Sequence, residues 1–81
     1  TGEARLMVLR AMGMVGSQEA LKPLVQALDD RDWAVRAFAA SAIGAIGPDE
    51  EAKRALRKRA SGDGHPFVVS SAAAALVADD H

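Results

Sequence analysis

Cysteine and tyrosine are absent from this chain, and its aromatic side chains are limited to Trp33, Phe38 and Phe67. The lack of cysteine excludes disulfide bonds, thiolate metal ligands and a cysteine nucleophile. It is also typical of proteins that work in a reducing compartment. The first residues lack the basic stretch and following apolar run that mark a secretory signal. We therefore expect a cytoplasmic protein.

Long apolar runs and an excess of one charge are also missing. The longest segment without Asp, Glu, Lys or Arg spans residues 64–78 and is rich in alanine and serine. It is therefore too short and too weakly apolar to cross a bilayer. The net charge of −1 provides no general attraction to nucleic acid. With 81 residues the chain can form one small domain, which we expect to span residues 1–81.

What the chain does contain is an internal repeat. Residues 5–16 and 36–47 share an arginine, an alanine and two glycines at matching positions when Gly44 is aligned with Gly13. The pattern returns in the last part of the chain, where Leu76 aligns with Ile43. A period of roughly 30 residues with helical patterning predicts stacked helical repeats. Such proteins mostly bind other macromolecules through an extended face.

Apolar residues at three- and four-residue spacing predict five helices and no strand. The predicted helices cover about residues 3–15, 18–28, 33–46, 48–60 and 66–78. Asp32 is suited to cap the third helix, and Pro48 is suited to be the first residue of the fourth. Consecutive antiparallel helices then form hairpins at about 3–28 and 33–60, followed by the terminal helix at about 66–78. The predicted buried residues are Leu9, Met12, Leu21, Leu24, Val25, Leu28, Val35, Ala39, Ala42, Ile43, Leu56 and Leu76.

The central unit also carries a family resemblance. Residues 30–47 read Asp-Arg-Asp-Trp-Ala-Val-Arg-Ala-Phe-Ala-Ala-Ser-Ala-Ile-Gly-Ala-Ile-Gly, and residues 19–30 read Glu-Ala-Leu-Lys-Pro-Leu-Val-Gln-Ala-Leu-Asp-Asp. Both segments resemble HEAT repeats, specifically the short HEAT-like repeats first associated with phycobilisome bilin lyases. The resemblance implies an all-α solenoid. The chain departs from the family pattern at Val69, where the pattern has arginine, at Val77, where the pattern has glycine, and in its more basic fourth helix. The first helix lacks the aspartate-rich lead-in, which suggests a section of a longer array.

The resemblance implies a protein–protein interaction or scaffolding module with no catalytic residues, cofactor or metal of its own. One alternative is an accessory part of a bilin lyase, and another is a nucleic-acid-binding module that uses the basic helix 53–59. Deoxyhypusine hydroxylase, an enzyme with this repeat architecture, holds iron with His–Glu pairs. Here His65 precedes a proline and His81 is the last residue given, so no such pair exists. His65 is better explained as a helix cap.

Three charged residues near the central helix are assigned structural roles. Arg36 is expected to donate hydrogen bonds to an acidic side chain or a carbonyl oxygen of the inter-helix turns, most simply that of Asp30 or a residue near it. Asp30 and Asp32 could bind a metal, but N-capping and pairing with Arg36 explain both residues without one.

The strongest local signal for a partner is a basic cluster formed by Lys53, Arg54, Arg57, Lys58 and Arg59. Arg54, Arg57 and Lys58 lie on one face at three- and four-residue spacing, and Lys53 lies beside them. With Trp33, these residues are the candidate partner-binding surface, and an acidic protein is the partner that they suit. Nucleic acid is the weaker candidate for two reasons. Residues 49–59 carry a net charge of +2, but the rest of the chain carries −3. Trp33 is also the only plausible base-stacking residue. The structural alternative is a solvated face that complements the helix dipole.

The last predicted helix is unusual because residues 67–78 offer only Ser70 and Ser71 as polar groups. The end of a solenoid normally presents a polar outer face. We therefore expect self-association, or marginal stability, through residues 67–78. A charge at Ala74 or Val77 should favour the monomer if these positions face outward.

Overall fold

The computed structural model describes residues 18–78, which contain four α-helices and no strand. The all-α prediction is confirmed. A 3-10 turn, Gln18–Ala20, leads into α1, Leu21–Ala27. The other helices are α2, Trp33–Ile46, α3, Glu50–Gly62, and α4, Pro66–Ala78. The predicted helix at residues 3–15, with Leu9 and Met12, lies outside the described residues.

Capping residues explain where the two central helices begin and end. The Asp32 carboxylate accepts a hydrogen bond from the Ala34 amide at 2.9 Å, and α2 ends at Gly47, whose φ of 104° favours glycine. The Asp49 carboxylate accepts from the Ala52 amide at 2.8 Å and caps α3. The prediction that Pro48 is the first residue of this helix is therefore wrong, because Pro48 precedes the cap.

The segment predicted as one helix at residues 18–28 begins with the 3-10 turn, and its α-helical part starts at Leu21. Pro23 is then the third residue of α1. The first amides of an α-helix have no intrahelical acceptor, so the missing N–H of Pro23 removes no helical hydrogen bond at this place.

The helices pack as two neighbouring layers. The first helices of successive units, α2 and α4, contact each other, and α1 lies beside α3. Across the layers, α2 packs on α1 and α4 packs on α3. Helices α2 and α4 approach each other closely at Gly44, where an added Cβ atom would lie 3.0 Å from the Cα of Ala75.

The core consists mainly of alanine and branched aliphatic side chains. Eight of the predicted residues are buried, namely Leu21, Leu24, Leu28, Val35, Ala39, Ala42, Ile43 and Leu56. Val25 and Leu76 were also predicted to be buried, but they are only partly buried and pack against the edge of the core. The core also includes Val68, Ala72 and Ala75 on the inner side of α4. Among the described residues, no helix has both the length and the apolar character required to cross a membrane.

Candidate functional site

Two inter-helix turns meet at one end of the stack, where Arg36 joins them. Its Nε donates to Asp63 Oδ2 at 2.9 Å, and its Nη2 donates to Asp63 Oδ1 at 3.1 Å. Its Nη1 donates to the carbonyl oxygens of Asp30 at 2.8 Å and Arg31 at 3.2 Å. The guanidinium therefore binds the turn before its own helix and the turn before α4 at the same time.

Arg59 extends this arrangement from the last turn of α3. Its Nη1 donates to Asp63 Oδ2 at 3.3 Å, and its Nη2 donates to Asp29 Oδ1 at 3.0 Å. We call the four side chains of Arg36, Asp63, Arg59 and Asp29 the turn clasp. The side chain of Asp63 is 1% exposed, whereas that of Asp29 is 71% exposed, so Asp63 is the centre of the clasp and Asp29 is its rim.

The clasp determines the acidity of Asp63. Burial by itself raises the pKa of this carboxyl group, but three sets of hydrogen bonds oppose that effect. They come from Arg36, from the His65 amide, which donates to Oδ1 at 2.9 Å, and from Arg59. Together with the positive charge of Arg36, they hold the pKa of Asp63 below its ordinary value of 3.8. Asp63 is therefore an ionised structural carboxylate at neutral pH.

Asp30 and Asp32 serve local backbone geometry. Asp30 Oδ1 accepts a hydrogen bond from the Asp32 amide at 2.9 Å, and Asp32 caps α2. Arg36 reaches the carbonyl oxygen of Asp30 rather than its carboxylate. In the part of the chain that the structure describes, no three His, Cys, Asp or Glu side chains are grouped as a metal site would require.

Sequence reasoning missed Asp63 as the main partner of Arg36, although the repeat contains a signal for it. The alignment that places Leu76 on Ile43 also places Asp63 on Asp30. Both aspartates accept a hydrogen bond from the amide two residues later. Asp63 is thus the next unit's counterpart of Asp30, and Arg36 connects the two units.

The predicted basic cluster divides into paired and unpaired cations. Lys53 is partly buried, and its Nζ lies 3.7 Å from Glu50 Oε1. Arg54, Arg57 and Lys58 are exposed on the side of α3 that points away from the core, and we call these three residues the basic face. Among the residues that the structure describes, no carboxylate lies within ion-pair distance of the basic face.

Trp33 belongs to a different part of the surface. Its ring stacks on His65 with centroids 4.0 Å apart, and it meets Phe67 edge-on at 5.8 Å. Trp33 remains 43% exposed and Phe67 is 59% exposed. His65 Nδ1 accepts a hydrogen bond from the Phe67 amide at 3.2 Å, so this histidine caps the start of α4. The aromatic cluster therefore joins the start of α2 to the start of α4.

A shallow groove of about 400 Å³ lies between α1 and the start of α3. It is lined by the apolar residues Leu21 and Val25 and by four charged residues, Glu19, Lys22, Asp49 and Glu51. The charged part of the groove lining is therefore mainly acidic, unlike the basic face farther along α3.

Consecutive helices packed in two layers and joined through their turns define a helical-repeat protein. A family model described as HEAT repeats matches residues 2–77, and the chain belongs to the HEAT-repeat family. HEAT repeats generally mediate protein–protein interaction and are typically non-catalytic. Comparison with curated proteins and with solved structures yielded no match to this chain.

Proposed function

We propose that this chain is a protein-binding HEAT module and that its basic face holds an acidic segment of a partner protein. The observation that supports this proposal is that the basic residues fall into two groups, one within the turn clasp and one exposed to solvent. Arg36 and Arg59 are used in the turn clasp, whereas Arg54, Arg57 and Lys58 are exposed and unpaired in the described structure. Their three- and four-residue spacing places the charges on one side of a helix.

Charge complementarity supports an acidic partner. An exposed cation costs little when it has only water as a neighbour, so a single such residue would suggest only a solvated surface. Three cations on one helical side create a local positive potential that can steer a carboxylate-rich segment and set its register. Trp33 lies with His65 and Phe67, so we treat it as a separate apolar contact and not as part of the basic face.

The test is a fluorescence anisotropy titration with a labelled peptide rich in Asp and Glu. Each reversal, such as Arg57→Glu, should lower affinity by up to about fivefold, because an exposed ion pair contributes roughly 0.2–1 kcal/mol. Reversal of all three residues should lower it by about tenfold or more and remove most of its salt dependence. Arg31→Glu makes the same charge change at an exposed turn residue and serves as the control. Equal affinities of the triple variant and the control would contradict the proposal.

Two further titrations examine the alternatives. A gel-shift assay with duplex DNA should show weak binding, and tight binding with a steep salt dependence would favour a nucleic-acid module. A fluorescence titration with a bilin should show no saturable complex. The chain has no cysteine to hold the chromophore covalently and few aromatic side chains to enclose it. A saturable bilin complex would instead support a role beside a bilin lyase.

A further inference from the structure

The outer side of α4 is an apolar helix face that packs against no other part of the described structure, apart from the edge contact of Phe67 with the Trp33 ring at the start of α2. Its exposed residues are Phe67, Ser70, Ala73, Ala74 and Val77, and we call them the α4 outer face. Phe67 is 59% exposed and Val77 is 60% exposed. No Asp, Glu, Lys or Arg occurs between residues 66 and 78. Large exposed apolar side chains grouped on one element mark an interaction surface more often than isolated ones do.

The internal repeat indicates what such a face does. In the alignment that places Leu76 on Ile43, Ser70, Ala73 and Val77 correspond to Ala37, Ala40 and Gly44 of α2. Ala37 and Ala40 are buried, and Gly44 lies against Ala75 of α4. Ser70, Ala73 and Val77 are therefore counterparts of residues on the side of α2 that packs within the stack, whereas Ser41, the counterpart of Ala74, is exposed.

Two residues of α4 differ from their counterparts in α2, and these differences prevent α4 from contacting a further helix in the same way. Val77 stands where Gly44 stands in α2, and even the Cβ of an alanine at Gly44 would come within 3.0 Å of Ala75. A helix placed against α4 at the same separation would clash with the valine side chain. Val69 stands where Arg36 stands, so α4 also lacks the guanidinium that would reach the next turn. The face is apolar like that of α2, but it requires another binding geometry.

We infer that the α4 outer face binds the same face of a second copy of this chain, with the two helices antiparallel about a twofold axis. This inference goes beyond the proposed binding function, because it concerns a different face of the module and a different partner. Antiparallel pairing sets Phe67 beside the partner's Val77, and Ser70 beside the partner's Ala74. The bulky side chains then lie at the two ends of the contact, and the small side chains lie where the helices cross, which permits a close approach.

Charge and size agree with this arrangement. A twofold contact places like residues from both copies near one another, and a face without charges avoids the repulsion that this would otherwise cause. The helix has 13 residues and is about 20 Å long. One helix face of this length buries less area than a standard stable interface, so the dimer should dissociate on dilution.

Sedimentation velocity over a range of concentrations tests the inference with the full chain. The unmodified chain should shift from monomer to dimer and stop there. Ala74→Glu should raise the dimer dissociation constant by about tenfold or more, because it would desolvate a carboxylate at the contact. Ala45→Glu changes an exposed alanine of α2 and is the matched control, since it should leave the dimer unchanged. Far-ultraviolet circular dichroism should show equal helix content in both variants.

A mixing experiment tests the antiparallel register. Ser70→Lys should weaken self-association by itself, and an equimolar mixture with Ala74→Glu should recover dimer, because the new charges meet across the twofold axis. A chain that stays monomeric at all concentrations would overturn the inference. Species that grow beyond the dimer, equal behaviour of Ala74→Glu and Ala45→Glu, or no recovery in the mixture would also overturn it. Arg57→Glu should leave the dimer intact and Ala74→Glu should leave acidic-peptide binding intact, so each proposal can fail separately.

Discussion

Replacement of Asp63 by alanine should destabilise the fold by about 2–4 kcal/mol. Asp63 is the buried centre of the turn clasp, and its two oxygens accept four hydrogen bonds, from Arg36 twice, from Arg59 and from the His65 amide. Removal of the carboxylate leaves the Arg36 guanidinium, whose side chain is 15% exposed, without its anionic partner. Loss of one member of a buried ion pair typically costs about 3–5 kcal/mol. We expect a smaller loss of stability here, because water can still reach the Arg36 guanidinium after its partner is removed.

Urea denaturation followed by circular dichroism measures this loss. Asp29→Ala is the control within the same clasp, because Asp29 is an exposed rim residue whose single ion pair with Arg59 should contribute at most about 1 kcal/mol. A loss below about 0.5 kcal/mol for Asp63→Ala, or a loss no larger than that of Asp29→Ala, would refute the reasoning. A domain of this size has a total stability of roughly 4–12 kcal/mol, so the expected effect is a large fraction of it.

The same carboxylate gives the clasp a pH dependence with a defined sign. The pKa of Asp63 is lower in the folded chain than its ordinary value of 3.8, so the folded state favours the ionised form. The stabilisation is therefore complete above pH 3.8 and is lost as the pH falls from there through the lower, folded-state pKa. Asp63→Asn keeps the shape of the side chain without its charge. It should therefore lose stability at neutral pH and show a shallower acid dependence than the unmodified chain.

Two further predictions concern the packing of the helices. Leu24→Ala should cost about 2–4 kcal/mol in urea denaturation, because Leu24 is completely buried, and Val25→Ala should cost less at its partly buried site. Gly44→Ala should destabilise the fold by about 1 kcal/mol, since overpacking against Ala75 outweighs the gain in helix propensity. Gly62→Ala, whose added Cβ would meet nothing within 4 Å, should be neutral or stabilising, and equal effects at the two glycines would contradict this account.

The positions of the helices could be predicted where the sequence contains a capping or helix-breaking residue at the helix end. Asp32 before Trp33, and Gly47 after Ile46, define both ends of α2, and Pro66 marks the start of α4. The end of α3 was less predictable, because Gly62 suggests a turn but is the last helical residue. The helix continues two residues beyond the predicted end at Ala60, although glycine is a poor helix former, because its last turn is held by the hydrogen bond from the Asp63 amide to the Arg59 carbonyl oxygen.

The candidate site was predictable only in part, because its chemistry depends on contacts between distant segments. Helical spacing places Arg54, Arg57 and Lys58 on one side of α3, but it does not show that Lys53 and Arg59 are paired. Asp63 lies far along the chain from Arg36, in a glycine-rich turn that resembles a flexible linker. Its role becomes visible only when the two turns are brought to the same end of the stack.

The position of the turn clasp gives the stack an unequal stiffness. All four clasp residues lie at the end where α2 and α4 begin and α3 ends, whereas the opposite end is formed by the short turn from Gly47 to Asp49. A distortion that separates the first end must break charged hydrogen bonds. The opposite end lies outside the clasp, so we expect it to separate more readily. We therefore expect successive units to rotate relative to each other about the clasp end. This motion would let the angle between units adapt to a bound partner while their register stays constant.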